Sequence, residues 1–229
     1  MKVLGIYNLK GGTGKTTIAV HLAPAFAAAG WRTLLVGMDR QGDAIRWITG
    51  GDANVTNGAV MQIRPGLTAI FSAEEYPKLA LQRAAALVDL VVADLPPREG
   101  LASGVPADLW LVPVDGRLAL EDLLAVVDEM KEMGAEVLVV FNRADAGGKR
   151  ILSQLQRAAS NIPGVTIWSD IIPDSAAIKR AGDLLRSVKD VPFGEGSPGD
   201  VALNALAQVV LRQLGLVRAT ASRTARGRR

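Results

Sequence analysis

The segment that decides the fold reads Leu9-Lys10-Gly11-Gly12-Thr13-Gly14-Lys15-Thr16-Thr17. It follows an apolar run, Val3–Asn8, that predicts a strand, and it leads into Thr16–Ala29, whose spacing predicts a helix closed by Gly30. A glycine-rich turn between a strand and a helix is the context that a phosphate-binding loop requires. The glycines let successive backbone N–H groups face one anion, and the positive end of the helix adds to the attraction. The segment therefore predicts a site for the phosphates of a nucleotide.

The side chains of this loop suit different parts of a nucleotide. Lys15 is placed to reach the β- and γ-phosphates, and the Thr16 hydroxyl is placed to ligate Mg²⁺. Thr17 can donate a hydrogen bond to the α-phosphate. The backbone that completes the predicted site is that of Gly11, Gly12, Thr13 and Gly14.

Short apolar strands alternate with longer helical segments, which predicts a parallel sheet covered by helices. The further predicted strands are Thr33–Met38, Val60–Ile63, Asp89–Asp94, Leu109–Val114, Glu136–Phe141 and Val165–Trp168. The further predicted helices are Asp43–Ile48, Lys78–Leu87, Leu118–Met133, Ile151–Ala159, Ala176–Arg180 and Val201–Leu214. Residues 51–75 are otherwise ambiguous, and Gly194–Gly199 is predicted to be a loop. We expect one α/β domain over residues 1–215 and a basic, disordered tail over residues 216–229, where the apolar periodicity stops.

The loop departs from the usual pattern because Leu9 stands where a glycine is usual, and Lys10 adds a second lysine. The form Lys-Gly-Gly-x-Gly-Lys-Thr-Thr resembles the deviant Walker A motif of the ParA/MinD family of ATPases, and the resemblance covers roughly residues 2–214. It implies an α/β fold of the single-domain P-loop NTPase type, a mostly parallel twisted sheet with helices on both faces. It also implies ATP and Mg²⁺ as cofactors, and an ATP-dependent homodimer in which Lys10 reaches the partner's phosphates. Lys10 and Lys15 are then both catalytic.

Asp39 stands at the end of a predicted strand and resembles the second Asp of the family's Asp-x-Asp-Pro-Gln-Gly motif. The resemblance implies that Asp39 is catalytic and positions or activates the attacking water. A carboxylate at the end of a strand beside a phosphate loop can orient water, although such a residue can also simply cap a helix. Gly37 and Arg40 stand where the family motif has its first Asp and its Pro. We therefore expect no outer acid at this site and a less rigid turn after Asp39.

Asp94 ends a second predicted strand, in the segment Leu90-Val91-Val92-Ala93-Asp94-Leu95-Pro96-Pro97. Four apolar residues and then an acid are typical of a central strand that presents a carboxylate to Mg²⁺. The segment resembles the family's Walker B motif, which implies that Asp94 binds the metal through a water. The alternative is that Asp94 only caps the end of the strand.

Two further segments resemble the family's adenine-binding region. Asn142 lies in Val139–Arg143, and Pro173 lies in Ile171–Asp174. The resemblance implies that both residues contact the base. His21 lies on the first predicted helix, where a packed side chain is expected, and Trp110 and Trp168 are expected in the core.

Composition excludes several classes of protein. The chain has 229 residues, no Cys and a single His, which excludes a disulfide scaffold, a Cys-ligated iron–sulfur cluster and a multi-His metal site. No apolar run approaches the length of a membrane helix, and the C-terminal segment lacks the bulky apolar residues of an amphipathic membrane anchor. We therefore expect a cytoplasmic protein without a membrane partner.

Charge is unevenly distributed along the chain. Residues 1–142 carry 12 Lys/Arg against 16 Asp/Glu, whereas residues 143–229 carry 14 against 7. This bias predicts a polyanion partner for the C-terminal part, with a solvated surface and a frayed tail as the alternative. The candidate DNA-contacting residues are Lys179, Arg180, Arg186, Lys189, Arg212, Arg218, Arg223, Arg226, Arg228 and Arg229.

Within the ParA/MinD family, which the chain resembles, these features favour a small ParA-type partition ATPase. Such a protein forms an ATP dimer that binds nonspecific double-stranded DNA of the nucleoid, and a ParB-like centromere-binding adaptor triggers hydrolysis and release. Two alternatives stay open. One is the positioning of a protein organelle such as a carboxysome, and the other is a P-loop ligase resembling dethiobiotin synthetase, in which Lys10 would bind substrate.

Overall fold

The computed structural model describes residues 1–51, 56–73, 75–84, 86–100, 102–116, 123, 126–127, 129, 134–145 and 147–216. The strands are β1 (Lys2–Ile6), β2 (Thr33–Gly37), β3 (Val60–Arg64), β4 (Leu67–Phe71), β5 (Leu90–Asp94), β6 (Leu109–Asp115), β7 (Glu136–Ala144) and β8 (Val165–Pro173). The helices are α1 (Lys15–Ala28), α2 (Asp43–Ile48), α3 (Lys78–Ala84), α4 (Gly148–Ala159), α5 (Ala176–Asp183) and α6 (Pro198–Gln213). Short 3₁₀ turns lie at Ala102–Gly104 and Val188–Asp190.

The strands form one eight-stranded sheet in the order β3-β4-β2-β5-β1-β6-β7-β8. Every neighbouring pair is parallel except β3 and β4, which form an antiparallel hairpin at one edge. Because β1 lies between β5 and β6, the loop after β1 emerges in the middle of the carboxyl edge of the sheet. This is the edge at which parallel α/β sheets bind their ligands.

Both faces of the sheet are buried. Leu4 and Ile6 of β1 point to one core with side chains of α1, α5 and α6, while the neighbouring Val3 points to a second core with side chains of α3 and α4. The same alternation runs through the other central strands, as expected for a strand with helices on both sides. The predicted α/β fold with a mostly parallel sheet and helices on both faces is confirmed.

The predicted elements recur with shifted ends, and one strand was missed. Leu67–Phe71 forms β4, a buried strand inside the stretch that the sequence left ambiguous. It pairs with Val60–Arg64 across a tight turn at Pro65 and Gly66, so two short runs make a hairpin where only the first was predicted. The helix predicted at Leu118–Met133 lies mostly outside the described residues, as does the predicted tail.

The last helix begins earlier than predicted. Ser197 is the N-cap of α6 and its side chain accepts a hydrogen bond from the Asp200 N–H at 3.2 Å, while Pro198 occupies the first helical position. A Ser-Pro pair starts a helix here because the hydroxyl caps a free N–H and proline has none to satisfy. None of the helices in the described part of the chain is both long and apolar enough to cross a membrane.

Candidate nucleotide-binding site

The glycine-rich loop places an open helix end at the carboxyl edge of the sheet. Gly12 and Gly14 have φ angles of 78° and 93°, which lie in the left-handed region that favours glycine. Gly14 is the N-cap of α1, and no side chain among the described residues caps this helix. The first N–H groups of α1 therefore face the cleft, where an anion can satisfy them.

The loop is fastened to the ends of three neighbouring strands. Asn8, just after β1, accepts a hydrogen bond from the Lys10 N–H at 2.9 Å and donates its amide to the Pro113 carbonyl of β6 at 2.8 Å. Asn142 of β7 donates its amide to the Thr13 carbonyl at 2.8 Å. A side chain at position 14 would overlap this Asn142 amide, so Gly14 is required by contact as well as by its φ angle. The loop is thus held in place by buried side-chain amides.

Lys15 closes the loop on itself. Its ammonium donates to the Lys10 carbonyl at 3.0 Å, and the side chain is buried. Burial lowers the pKa of Lys15, while the nearby carboxylates of Asp94 and Asp39 act to raise it. A buried ammonium that is partly desolvated is a strong partner for a phosphate that enters the same cleft.

Thr16 and Asp94 form the candidate metal site. The Thr16 hydroxyl donates to Asp94 Oδ2 at 2.8 Å, and Asp94 Oδ1 is buried without a hydrogen-bond partner among the described residues. Burial raises the pKa of Asp94 to about 7, although Thr16 and Lys15 act to lower it. An unpaired, buried carboxylate oxygen beside a hydroxyl fits Mg²⁺, which takes few protein ligands and fills its remaining positions with water and phosphate oxygens.

Asp39 lies in the same cleft, and its neighbourhood accounts for one departure from the family motif. Asp39 Oδ1 accepts a hydrogen bond from the Gln41 N–H at 2.8 Å, which fixes the carboxylate after β2. A Cβ atom on Gly37 would lie 3.1 Å from the Ile45 side chain of α2. Gly37 therefore lets α2 pack closely on the end of β2, where the family's first Asp would not fit without a shift.

Two adjoining cavities lie along this edge of the sheet. A cleft of about 320 Å³ is lined by the loop together with Asp39 and Arg143, and a second cavity of about 270 Å³ is lined by Asn142 and Pro173. Thr17 and Arg143 line both. The candidate adenine contacts thus lie in a cavity next to the candidate phosphate cleft.

Trp47 of α2 also lines the second cavity, and the sequence did not indicate it. Its indole N–H donates to the Arg186 carbonyl at 2.8 Å, which fixes the ring. The one indication in the sequence is that Trp47 is an aromatic residue in a short helix after the turn at Asp39. Aromatic residues in such helices are usually part of the core.

Lys10 extends from the loop to the end of β6. Its ammonium donates to Asp115 Oδ1 at 3.1 Å, and the other oxygen of this carboxylate lies 3.8 Å from the Arg143 guanidinium. Lys10 is therefore placed at the rim of the cleft, outside the loop interior that Lys15 fills.

His21 is a packed residue, as expected. The Val188 N–H donates to His21 Nε2 at 3.1 Å, so Nδ1 carries the proton and donates to the Thr17 carbonyl at 2.7 Å. The ring is neutral, and burial lowers its pKa. His21 thus connects the first turns of α1 to the 3₁₀ turn at Val188–Asp190.

The candidate DNA-contacting residues do not all lie together. Arg180, Arg186 and Lys189 belong to α5 and the segment that follows it, whereas Arg212 lies in the last turn of α6. Lys179 lines the second cavity and forms an ion pair with Asp174 at 2.7 Å. The remaining candidates, the arginines of the tail, lie outside the described residues: Arg218, Arg223, Arg226, Arg228 and Arg229.

Two curated relatives each match a part of the chain at 38% identity. The chain is 38% identical over 84 residues to the chromosome partitioning protein ParA of Caulobacter vibrioides, a match that covers 31% of this chain and 32% of that protein. It is 38% identical over 96 residues to the maintenance of carboxysome distribution protein A of Gloeobacter kilaueensis, over 42% of this chain and 39% of that protein. The chain thus matches less than half the length of these relatives.

Solved structures match over nearly the whole chain at low identity. The MinD cell division protein of Aquifex aeolicus superposes with a TM-score of 0.77 at 18% identity, covering 93% of this chain and 97% of that one. The ATP complex of a Cyanothece McdA variant gives a TM-score of 0.73 at 18% identity, covering 96% and 98%. MinD of Pyrococcus horikoshii complexed with Mg-ADP gives 0.74 at 19% identity, covering 94% and 98%. These likenesses show the fold.

One family model covers most of the sequence. The CobQ/CobB/MinD/ParA nucleotide-binding domain matches residues 4–186, which include the loop, Asp39, Asp94 and both cavities. The matched range contains the phosphate loop and both strand-end acids described above. The chain belongs to the CobQ/CobB/MinD/ParA nucleotide-binding domain family.

Proposed function

We propose that the chain is an ATPase that dimerises when it binds ATP and Mg²⁺, and that the dimer positions or segregates DNA cargo. The observation that carries the proposal is that Lys15 and Thr16 line one cleft at the open end of α1, with the buried Asp94 hydrogen-bonded to Thr16. Solved structures of the same fold carry ATP or Mg-ADP, which supports the choice of ligand. The match to a chromosome partitioning protein supports the choice of cargo.

The bound nucleotide extends across both cavities. The loop N–H groups and Lys15 bind the phosphates, Thr17 reaches the α-phosphate, and the base enters the second cavity beside Asn142, Pro173 and Trp47. Lys15 exchanges its hydrogen bond to the Lys10 carbonyl for one to a phosphate oxygen. Thr16 and Asp94 would hold Mg²⁺, which would supply positive charge against the phosphates.

Hydrolysis follows from the position of Asp39. Its carboxylate lines the phosphate cleft and orients a water molecule for attack on the γ-phosphorus, and the bond to ADP breaks as the new P–O bond forms. The partner's Lys10 adds positive charge to the phosphates in the dimer. A ParB-like adaptor increases the rate of this step and so releases the dimer from DNA.

The DNA-binding surface comes from the basic C-terminal half. We propose that residues 1–215 form the ATPase domain, that Arg180, Arg186 and Lys189 contact DNA phosphates, and that the tail, residues 216–229, adds to them. One such surface binds weakly, and dimerisation doubles it, so that nucleotide controls association with the nucleoid in the cytoplasm. A second candidate cargo is a protein organelle, which the match to a carboxysome distribution protein favours.

Variants of the two lysines test the dimer. We expect Lys15→Ala to lose tight ATP binding, because the phosphates lose the counter-charge inside the loop. We expect Lys10→Ala to bind nucleotide as a monomer and to dimerise more weakly, because its charge acts across the interface. Light scattering with ATP and Mg²⁺ measures both, with Lys2→Ala as a control because Lys2 pairs with Asp108 at the opposite edge of the sheet. An unchanged dimer in Lys10→Ala would remove the sandwich arrangement.

A variant of Asp39 tests hydrolysis. We expect Asp39→Ala to bind ATP and dimerise but to release phosphate at least about tenfold more slowly, because the attacking water loses its orienting carboxylate. Asp43→Ala is the matched control, since Asp43 lines the same cleft from the first turn of α2. Phosphate release at the wild-type rate would show that another group positions the water. Turnover that needs a small carboxylic acid and is indifferent to DNA would identify a ligase instead.

A further inference from the structure

Asp115 is a single carboxylate that faces two cations. Its Oδ1 atom accepts a hydrogen bond from the Lys10 ammonium at 3.1 Å, and its Oδ2 atom lies 3.8 Å from the Arg143 guanidinium. The Asp115 side chain is 18% exposed, whereas those of Lys10 and Arg143 are 41% and 53% exposed. The carboxylate is therefore the fixed member of the cluster, and the two cations are the members with room to move.

The fold places this cluster at the rim of the nucleotide site. Asp115 is the last residue of β6, and it pairs in register with Asn142, whose amide holds the Thr13 carbonyl of the loop. Arg143 lines both cavities, and its φ angle of 52° lies in the left-handed region that a residue with a side chain rarely adopts. Strained backbone of this kind gathers at functional sites. Arg143 thus lines the cavities in which a nucleotide would compete with Asp115 for it, and Lys10 is held by the other oxygen of the same carboxylate.

We propose that Asp115 holds Lys10 in the monomer and thereby sets how much ATP the chain needs to dimerise. This inference rests on the proposed function, because it assumes that Lys10 acts across an ATP dimer. An ammonium that donates to Asp115 is neutralised at the rim of its own subunit. It must leave that carboxylate to reach a phosphate on the partner, and the exchange occurs twice in a symmetric dimer. Asp115 is a positioning residue here, since it acts on the nucleotide only through Lys10.

Replacing Asp115 by a neutral residue removes the ion pair between Asp115 and Lys10. We expect Asp115→Asn to lower the ATP concentration at which half the protein is dimeric by about fivefold, because a partly exposed ion pair contributes up to about 1 kcal/mol in each protomer. Asp115→Glu keeps the charge, so its midpoint should lie nearer to that of the wild type. Asp108→Asn is the matched control: Asp108 pairs with Lys2 at 2.7 Å, and Lys2 is 43% exposed, close to the exposure of Lys10. Its midpoint should equal that of the wild type.

A second readout follows Lys10 directly in the protein without nucleotide. Brief acetylation followed by mass spectrometry measures the reactivity of each lysine, and an ion pair protects an ammonium because its hydrogens are held by the carboxylate. Asp115→Asn should raise the labelling of Lys10 and leave that of Lys2 unchanged, while Asp108→Asn should do the reverse.

The two readouts separate the possible failures. Unchanged Lys10 labelling in Asp115→Asn, or a midpoint that stays the same or rises, overturns the role of Asp115. If the wild-type protein dimerises with ATP and Asp115→Asn and Asp108→Asn both have the wild-type midpoint, the proposed function stays intact and only this inference is removed. A wild-type protein and an Asp115→Asn variant that both stay monomeric at saturating ATP overturn the proposed dimer and this inference with it.

Discussion

Among single residues, Asp94 has a buried carboxylate that suits metal binding but lowers the stability of the folded protein. Its carboxylate is buried, Oδ1 has no hydrogen-bond partner within the described part of the chain, and burial raises its pKa to about 7. The folded protein therefore holds a proton that the unfolded chain releases near its ordinary pKa of 3.8, so this group costs stability as the pH rises through about 7. A bound Mg²⁺ would offset that cost.

We expect Asp94→Asn to be more stable than the wild type above pH 7 without Mg²⁺, by about 1 kcal/mol or more, because a neutral amide replaces a buried charge. The same variant should lose the extra stability that the wild type gains from Mg²⁺ and ADP. Urea unfolding with and without these ligands measures both effects, and the difference between the proteins should shrink at about pH 5, where Asp94 is protonated. A destabilised Asp94→Asn that still responds fully to Mg²⁺ and ADP would contradict the assignment.

His21 gives a pH dependence of the opposite sign. Burial lowers its pKa in the folded protein, so the unfolded chain takes up a proton first as the pH falls below about 6.5. The stability linked to neutral His21 is present above that pH and is lost as the pH falls from about 6.5 toward the lowered pKa of the folded state. Protonation of Nε2 would also end its hydrogen bond from the Val188 N–H.

His21 is the chain's single histidine, so one variant isolates this effect. We expect His21→Gln to be less stable at neutral pH by about 1–3 kcal/mol, because buried partners lose a hydrogen bond. Its stability should also fall less than that of the wild type between about pH 7 and pH 5. Unfolding curves at several pH values measure the difference, and parallel pH profiles for the two proteins would show that His21 does not titrate in this range.

The sequence indicates some site residues far better than others. Lys15, Thr16 and Asp94 were predictable because residue type and position in a strand–turn–helix unit define them together. Asn8 was not, because its partner Pro113 is 105 residues away and only the packing of β1 against β6 brings them together. Asp115 escaped prediction for the same reason.

At the level of helices and strands, the close fit between β1 and β6 depends on one glycine. Gly5 of β1 pairs in register with Trp110 of β6, and a Cβ atom on Gly5 would overlap the indole ring. Trp110 is fully buried and packs edge-on to Tyr7 with ring centroids 6.1 Å apart, so it has little freedom to move. The strand that carries the phosphate loop is thereby packed against a large aromatic ring.

We expect Gly5→Ala to lower the free energy of unfolding by about 1–3 kcal/mol or more, because overpacking displaces a fixed ring. Gly104→Ala is the matched control, since a Cβ atom there meets nothing within 4 Å. Chemical denaturation followed by tryptophan fluorescence compares the two variants. Equal stability of Gly5→Ala and the wild type would show that the sheet accommodates the methyl group by a shift that the packing does not suggest.

Strands buried on both faces were the easiest elements to predict. Leu90–Asp94 and Leu109–Asp115 read as continuous apolar runs, which is typical of central parallel strands. The edge hairpin was only half predicted: β3, along which exposed and half-buried residues alternate, was identified, whereas the short buried strand β4, which follows after a turn of two residues, was not. β7 extends past its apolar run into Asn142–Ala144, and β8 continues past the polar pair Ser169-Asp170 to Ile171–Pro173, since pairing between the two strands resumes beyond these polar residues.

For the molecule as a whole, the proposed function requires that nucleotide state is coupled to DNA binding. The net charge of +3 is modest, and the excess of Lys and Arg lies after residue 142. Trp47 and His21 connect the nucleotide edge to the segment that carries Arg186 and Lys189, through hydrogen bonds to the backbone of Arg186 and Val188. The sequence alone indicated the basic bias, while these contacts required the fold.

Removing the tail tests its part in binding. Deletion of residues 217–229 takes away five arginines, and we expect it to weaken DNA binding. The slope of log affinity against log salt concentration should also become less steep, by about 0.9 for each phosphate that the tail neutralises. A change of DNA sequence should have almost no effect. Fluorescence anisotropy of a labelled duplex over a range of salt concentrations measures both. An identical slope for the truncated protein would make the tail a solvated end.

The affinity of the full-length protein for duplex DNA in ATP and in ADP is the most direct measurement of the central claim. Asp39→Ala is used because slow hydrolysis keeps ATP bound during the titration. Lys15→Ala serves as the variant that does not bind ATP tightly. We expect tight, salt-sensitive binding of Asp39→Ala with ATP and Mg²⁺, and at least about tenfold weaker binding with ADP or in Lys15→Ala, because only the dimer presents two basic surfaces. Equal affinity in ATP and ADP would contradict nucleotide-gated DNA binding.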